Sequence, residues 1–218
     1  MLVCGIDEAG RGPVIGPMVM AGILIGESDI SKLKALGVRD SKELIRSKRE
    51  ELFRQILSVV KDYKIISLTP DMIDDSLNDP VMNLNKLEAE TSASILNILR
   101  PGKAYIDLPD RNPGRYSKYI RARLDNKKII IVAEHKADVI YPVVSAASIL
   151  AKVTRDRYID LLKNQVGEDF GSGYPHDPKT QIFLHKYWDD KSVHFFRKSW
   201  ASWKNVKKEK EQMRLFDF

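Results

Sequence analysis

The sequence predicts an α/β fold: a mixed five-stranded sheet flanked by helices, with a helical C-terminal extension. Three observations lead there. Five apolar runs of strand length occur at 2–7, 18–25, 63–68, 104–107 and 129–133. Longer segments with apolar residues three and four apart accompany them. The early strands suit antiparallel pairing, whereas the later alternation of strand and helix suits right-handed parallel crossovers.

Taken in order, Leu2–Asp7 reads as a buried strand that ends in a loop, Glu8–Gly16, with glycines at 10, 12 and 16 around Pro13. Met18–Ile25 is the second strand. Ser47–Val60 carries Leu52, Ile56, Val59 and Val60 at helical spacing, with Ser47 placed as its N-cap. Tyr63–Leu68 is the third strand, and Leu84–Leu99 is a helix stopped before Pro101-Gly102. Ala104–Asp107 and Ile129–Ala133 are short strands, joined by a crossover helix at Tyr116–Leu124. Val143–Val166 is a long helix with a small front face (Ser145, Ala146, Ala147, Ser148, Ala151) that permits close approach to the sheet. From Gly167 onward come a Gly/Pro-rich loop, helices and a basic tail.

Composition narrows the function classes. The net charge is +6, and Arg197–Arg214, with seven basic and two acidic residues, carries +5 of it. A polyanionic partner fits that distribution. No apolar run reaches the ~18 residues a membrane span needs, and Asp7 and Glu8 interrupt the apolar N-terminus where a secretory leader would have its core. Cys4 is the single cysteine, which excludes an internal disulfide framework and fits a reducing compartment. It is read as a small buried side chain. The expectation is a cytoplasmic monomer without membrane contact.

The chemistry lies with the carboxylates. Asp7 closes the first strand, Asp107 closes a later one, and Asp138 follows the last, near the start of the long helix. Residues at the carboxyl ends of neighbouring parallel strands converge on one crevice. Carboxylates placed together repel, so protons or a cation must neutralise them. All-oxygen donors without nearby His or Cys favour a hard ion, Mg²⁺ or Mn²⁺. A solvated loop acid is the ordinary reading of any one of these positions alone, and spacing by itself does not make the three strands neighbours.

Several motifs together resemble a known family. Gly5-Ile6-Asp7-Glu8-Ala9-Gly10-Arg11-Gly12-Pro13 is similar to the opening motif of ribonucleases HII, and Asp40-Ser41-Lys42-Glu43-Leu44 to their Asp-Ser-Lys segment. Tyr105-Ile106-Asp107 resembles the third acidic strand. Ala137-Asp138, then Ser145-Ala146-Ala147-Ser148-Ile149-Leu150-Ala151-Lys152-Val153 with Arg155-Asp156, resembles the signature helix, and Gly171-Ser172-Gly173-Tyr174-Pro175 the tyrosine loop. The variants at Tyr105–Asp110 and Tyr174–Pro178 resemble the archaeal branch. The resemblance implies an RNase H-like catalytic domain over 1–170, with 171–218 as C-terminal loop, helices and basic tail. It implies that Asp7, Glu8, Asp107 and Asp138 are the catalytic and metal-binding acids, with Mg²⁺ or Mn²⁺ as cofactor. It also implies endonucleolytic cleavage of the RNA strand of RNA–DNA hybrids, and incision 5′ to single ribonucleotides in duplex DNA, leaving 3′-hydroxyl and 5′-phosphate ends.

The remaining motif residues agree physically. A site that separates RNA from DNA must sense a 2′-hydroxyl. Gly10 and Gly12 let backbone N–H and C=O groups approach a sugar, and Arg11 can hold a neighbouring phosphate. Tyr174 matches the family tyrosine that packs on the sugar; outside the resemblance it would read as an aromatic filler. Lys42 and Lys152 are candidate phosphate contacts or supporting groups, although most lysines are simply solvated. His135, His176, His185 and His194 lack zinc spacing. Trp188, Trp200 and Trp203 could stack on bases, but such residues more often pin a terminal helix.

At the C-terminus, Gln212, Leu215 and Phe218 resemble the short motif by which replication and repair proteins dock on the sliding clamp. The usual second aromatic is absent, with Phe216 the available substitute. The competing reading is that this apolar tip, beyond a mobile charged segment at Lys204–Glu211, docks on the protein's own body. Two other functions stay open: a sister RNase H type that requires a run of ribonucleotides, and a non-catalytic nucleic-acid adaptor.

Overall fold

The computed structural model describes residues 1–38 and 44–216. Lys42 and Phe218, both singled out above, lie outside them, as does most of the Asp40–Leu44 motif.

The five strands are β1 (Leu2–Ala9), β2 (Met18–Gly26), β3 (Asp62–Leu68), β4 (Lys103–Asp107) and β5 (Ile130–Glu134). They form one sheet in the order β3-β2-β1-β4-β5. β1 pairs antiparallel with β2, from Leu2↔Gly26 to Ala9↔Val19. It pairs parallel with β4 from Val3↔Lys103 to Ile6↔Ile106, and β4 pairs parallel with β5. The mixed sheet expected from the order of elements is therefore present, with β1 at its centre. The helices are α1 (Ile30–Leu36), α2 (Arg46–Val59), α3 (Pro70–Asn78), α4 (Leu84–Leu99), α5 (Pro113–Arg123), α6 (Ala137–Ile140), α7 (Pro142–Val166), α8 (Pro178–Tyr187) and α9 (Ala201–Phe216).

Several local expectations need correction. Glu8 belongs to β1 and not to the following loop, because its ladder with β2 continues to Ala9. Ser47 does not cap α2; that helix begins one residue earlier, after Ile45, with no side-chain cap. Helices α1, α3 and α6 were not expected. The signal for α3 is legible in hindsight: the Thr69 hydroxyl accepts from the Met72 amide at 3.3 Å, and Pro70 supplies a preset first turn. The same device, Asn112 followed by Pro113, starts α5 earlier than its apolar spacing indicates. The Lys204–Glu211 stretch is not a mobile coil but part of α9, whose Val206 is buried.

The chain clusters into two compact units. The first comprises Met1–Ala9, Val19–Ser67 and Asn83–Thr154; the second comprises Gly10–Met18, Leu68–Met82 and the chain from Arg155 onward. In the first unit the alternation of side chains across the sheet builds two cores. Val3, Val19, Ala21, Ile23 and Ile25 face the first half of α7. Cys4, Ile6, Met20 and Leu24 face α4 and α5 on the other side. Burial pushes the Cys4 thiol far up, as a packing side chain requires. Glycine permits close approach on both faces: a Cβ on Gly5 would lie 2.2 Å from the Val143 carbonyl, and one on Gly22 2.3 Å from the Ile95 side chain. The small face of α7 thus brings helix backbone directly against β1.

The second unit packs around Val14, Ile15, Phe170, Phe183, Phe195 and Phe196. Here Trp188 and Trp203 hold α9. The Trp203 indole donates to the Trp188 carbonyl at 3.2 Å, and their rings lie 6.3 Å apart.

Candidate active site

Three of the four expected acids converge. Carboxylate oxygens of Asp7, Glu8 and Asp107 all lie within 4.8 Å of one another. Asp7 and Glu8 are consecutive near the end of β1, one and two residues past its last paired position with β4, and Asp107 ends β4. The strand-end convergence expected of an open sheet is realised. Asp7 is buried; it accepts the Glu8 amide at 2.8 Å and a hydrogen bond from the Ser148 hydroxyl on α7. Burial, then repulsion from Glu8 and from Asp107, outweighs these bonds and raises the Asp7 carboxyl well above the usual range.

Asp138 stands outside that group, buried in α6. It is tied to the cluster through the chain: the amide of Ala137, the preceding residue, donates to Asp107 at 2.8 Å. The Ser145 hydroxyl donates to the Asp138 carbonyl, joining α6 to α7. Lys152 is half-buried on α7. Asp110, three residues past Asp107, is a structural acid. The Asn112 amide (2.8 Å), the Asn85 side chain (2.9 Å) and Arg115 hold its carboxyl below the usual range and fix the loop.

The Gly-Arg-Gly loop and the tyrosine loop meet in the second unit. The Gly173 carbonyl accepts from the Val14 amide at 2.9 Å and the Ile15 amide at 3.3 Å. The Tyr174 ring lies beside Gly12, 3.4 Å from where a Cβ would stand. His176, with ring centres 5.5 Å apart, and the Arg155 guanidinium, 5.5 Å from the ring centre, also neighbour it. Gly10 is required for a reason that the motif alone conceals. Its φ is +85°, and a Cβ would sit 2.2 Å from the Arg155 Nε.

Two functional candidates escaped the sequence reading. Arg155 figured only as part of the helix motif, yet it is buried against Gly10 and donates to the Ser172 carbonyl at 3.3 Å. Arg197 was counted only in the basic tail, yet it is fully buried. Burial and the nearby Arg155 charge push Arg197 down to about 9, so it stays cationic at neutral pH. The available signal was an arginine set between Phe195-Phe196 and Trp200, an unusual place for a solvated cation.

A mixed five-stranded sheet with acids gathered at the ends of the adjacent strands β1 and β4 defines the ribonuclease H-like class of nucleases. The ribonuclease HII family model matches residues 4–203. Ribonuclease HII of Pyrococcus furiosus is 46% identical over 226 residues, covering 100% of this chain and 98% of the relative. The crystal structure of ribonuclease H2 from Pyrococcus horikoshii superposes with a TM-score of 0.87 at 43% identity, over 96% of this chain and 98% of that one. The RNase HII in a PCNA:RNase HII complex from Archaeoglobus fulgidus gives 0.83 at 40% identity, over 92% and 96%. The chain belongs to the ribonuclease HII family and is a type II ribonuclease H, an enzyme acting on RNA in RNA–DNA hybrids.

Proposed function

We propose that the protein is an endonuclease that cuts the RNA strand of hybrids and also incises 5′ to a single ribonucleotide embedded in duplex DNA. The observation that carries this reading is the Asp7–Glu8–Asp107 cluster. Its mutual repulsion and all-oxygen donors fit Mg²⁺ or Mn²⁺, which would be held by these three with Asp138. Such an ion would supply charge neutralisation at the phosphate and would ease loss of a proton from the attacking water. The chain's own part is placement. Gly10, Gly12 and Tyr174 confront the ribose, while Arg11, Lys152 and Lys42 hold flanking phosphates. The water oxygen bonds to phosphorus, the P–O3′ bond breaks, and the departing O3′ takes a proton, giving 3′-hydroxyl and 5′-phosphate ends.

A DNA duplex with one ribonucleotide tests this directly. Wild type with Mg²⁺ or Mn²⁺ should nick it on the 5′ side, while chelator or Asp7→Asn abolishes the nick; an intact duplex with wild type refutes the reading.

We further infer that the C-terminal segment docks on a sliding clamp through Gln212, Leu215, Phe216 and Phe218. Support comes from the clamp complex of the Archaeoglobus relative and from the exposed Gln212 near the end of α9. Removing 212–218 should abolish pull-down of a sliding clamp while hybrid cleavage persists. Unchanged pull-down would reject it.

A further inference from the structure

Besides the two amide bonds to Gly173, the Gly10–Gly16 loop is held by one short segment, 195–200. The Arg197 Nη2 donates to the Gly10 carbonyl at 2.6 Å, its Nη1 to the Arg11 carbonyl at 3.0 Å, and its Nε to the Gly16 carbonyl at 2.9 Å. The Arg197 amide donates to the Val14 carbonyl at 2.8 Å, and the Trp200 indole to the Gly12 carbonyl at 3.1 Å. The Gly16 amide returns a bond to the Phe195 carbonyl at 3.0 Å. Arg197 is also kept in line by stacking over Trp200, 4.8 Å from its ring.

A trans peptide points its C=O and the next N–H in opposite directions. Drawing in the carbonyls of Gly10 and Arg11 therefore turns the amides of Arg11 and Gly12 away from Arg197. The carbonyl of Gly12 is drawn in too, and the residue after it, Pro13, has no N–H to turn. Successive amides displayed from one turn form a concave donor surface that suits an electronegative oxygen. A planar fork holds its three donor atoms apart in fixed directions, one for each carbonyl; a lysine ammonium, whose three donors share a single nitrogen, does not reproduce that spread.

We propose that Arg197, assisted by Trp200, is a positioning residue for ribose selectivity, setting which backbone groups the Gly10-Arg11-Gly12 loop offers to the substrate. This rests on the reading that the loop senses the ribose.

The test compares wild type, Arg197→Lys and Trp200→Phe on a single-ribonucleotide duplex and on an RNA–DNA hybrid, with glycine-¹⁵N spectra of each. Arg197→Lys should lower kcat on the single-ribonucleotide duplex about 10–100-fold with little change in KM, and lower it less on the hybrid. Trp200→Phe should act in the same direction more weakly. The Gly12 amide signal should move in both. A merely structural role would slow both substrates by one factor and leave their ratio intact, and that result would overturn the proposal. If Arg197→Lys does not fold, Trp200→Phe decides: an unchanged ratio and unmoved glycine signals reject it. Wild type that cuts the hybrid but spares the single-ribonucleotide duplex would sink the ribose-sensing reading instead. The glycine spectra would then still report whether Arg197 sets the loop.

Discussion

Asp7 shows what it costs to bury a carboxyl beside two other acids. Its carboxyl is raised, first by burial and then by Glu8 and Asp107. Above the ordinary carboxylate value of about 3.9, the folded chain retains a proton that the unfolded chain has released. Stability without metal therefore falls as pH rises through that window, and stays reduced beyond the folded value. Asp7→Asn keeps the shape and removes the charge. At neutral pH without metal it should melt higher than wild type; a gain of about 1 kcal/mol would register as roughly 2–4 °C in a chain of this size. A lower melting temperature than wild type would contradict this account. Gly10 illustrates a different residue-scale lesson. Its freedom looks like a provision for substrate, but part of it serves Arg155 inside the protein.

Elements owe their positions to a few hinges of chemistry. The turn between α7 and α8 is held by Asp169, which bridges Lys163 at 2.7 Å and Lys179 at 2.5 Å. Asp177 accepts from the Ser172 amide at 2.7 Å and the Lys179 amide at 3.0 Å, shaping the tyrosine loop and capping α8. The Lys163 and Lys179 ammonium groups hold Asp169 far below the usual carboxylate range, and the Ser172 donors lower Asp177. Depressed folded values contribute stability above about 3.9, which is lost as pH falls through the ordinary range and below. Hydrogen-exchange protection factors across 167–180 should fall on acidification from pH 5 to 3 before those of the sheet do. In Asp169→Asn that fall should shrink; identical pH profiles of protection in the two proteins would refute the assignment.

At the scale of the whole molecule, legibility followed locality. The five strands could be read because each is a local apolar run; that β1 is central, between β2 and β4, could not, because spacing alone does not make strands neighbours. Glu8 was misplaced because glycines begin two residues later, whereas the β2 ladder, which no local signal reveals, carries the strand to Ala9. Strand ends sufficed to anticipate the meeting of Asp7 and Asp107, whereas Glu8 entered through the family resemblance; the burial of Asp138 in a four-residue helix could not be anticipated. Arg197 was least legible of all. Its bonds reach residues 181 to 187 positions away, and no periodicity reports a contact of that span.

That span has a consequence in time. Domains begin to fold during synthesis, at about 5–20 residues per second. Residues 10–16 leave the ribosome early, but the segment that fastens them is made near the end. The strand carrying Asp7 and Glu8 can therefore find its sheet partners well before its adjoining loop acquires its final shape. In a growing chain the first strand would thus be seated while the turn after it is still unfastened, and that turn would set only once the segment around residue 200 is available.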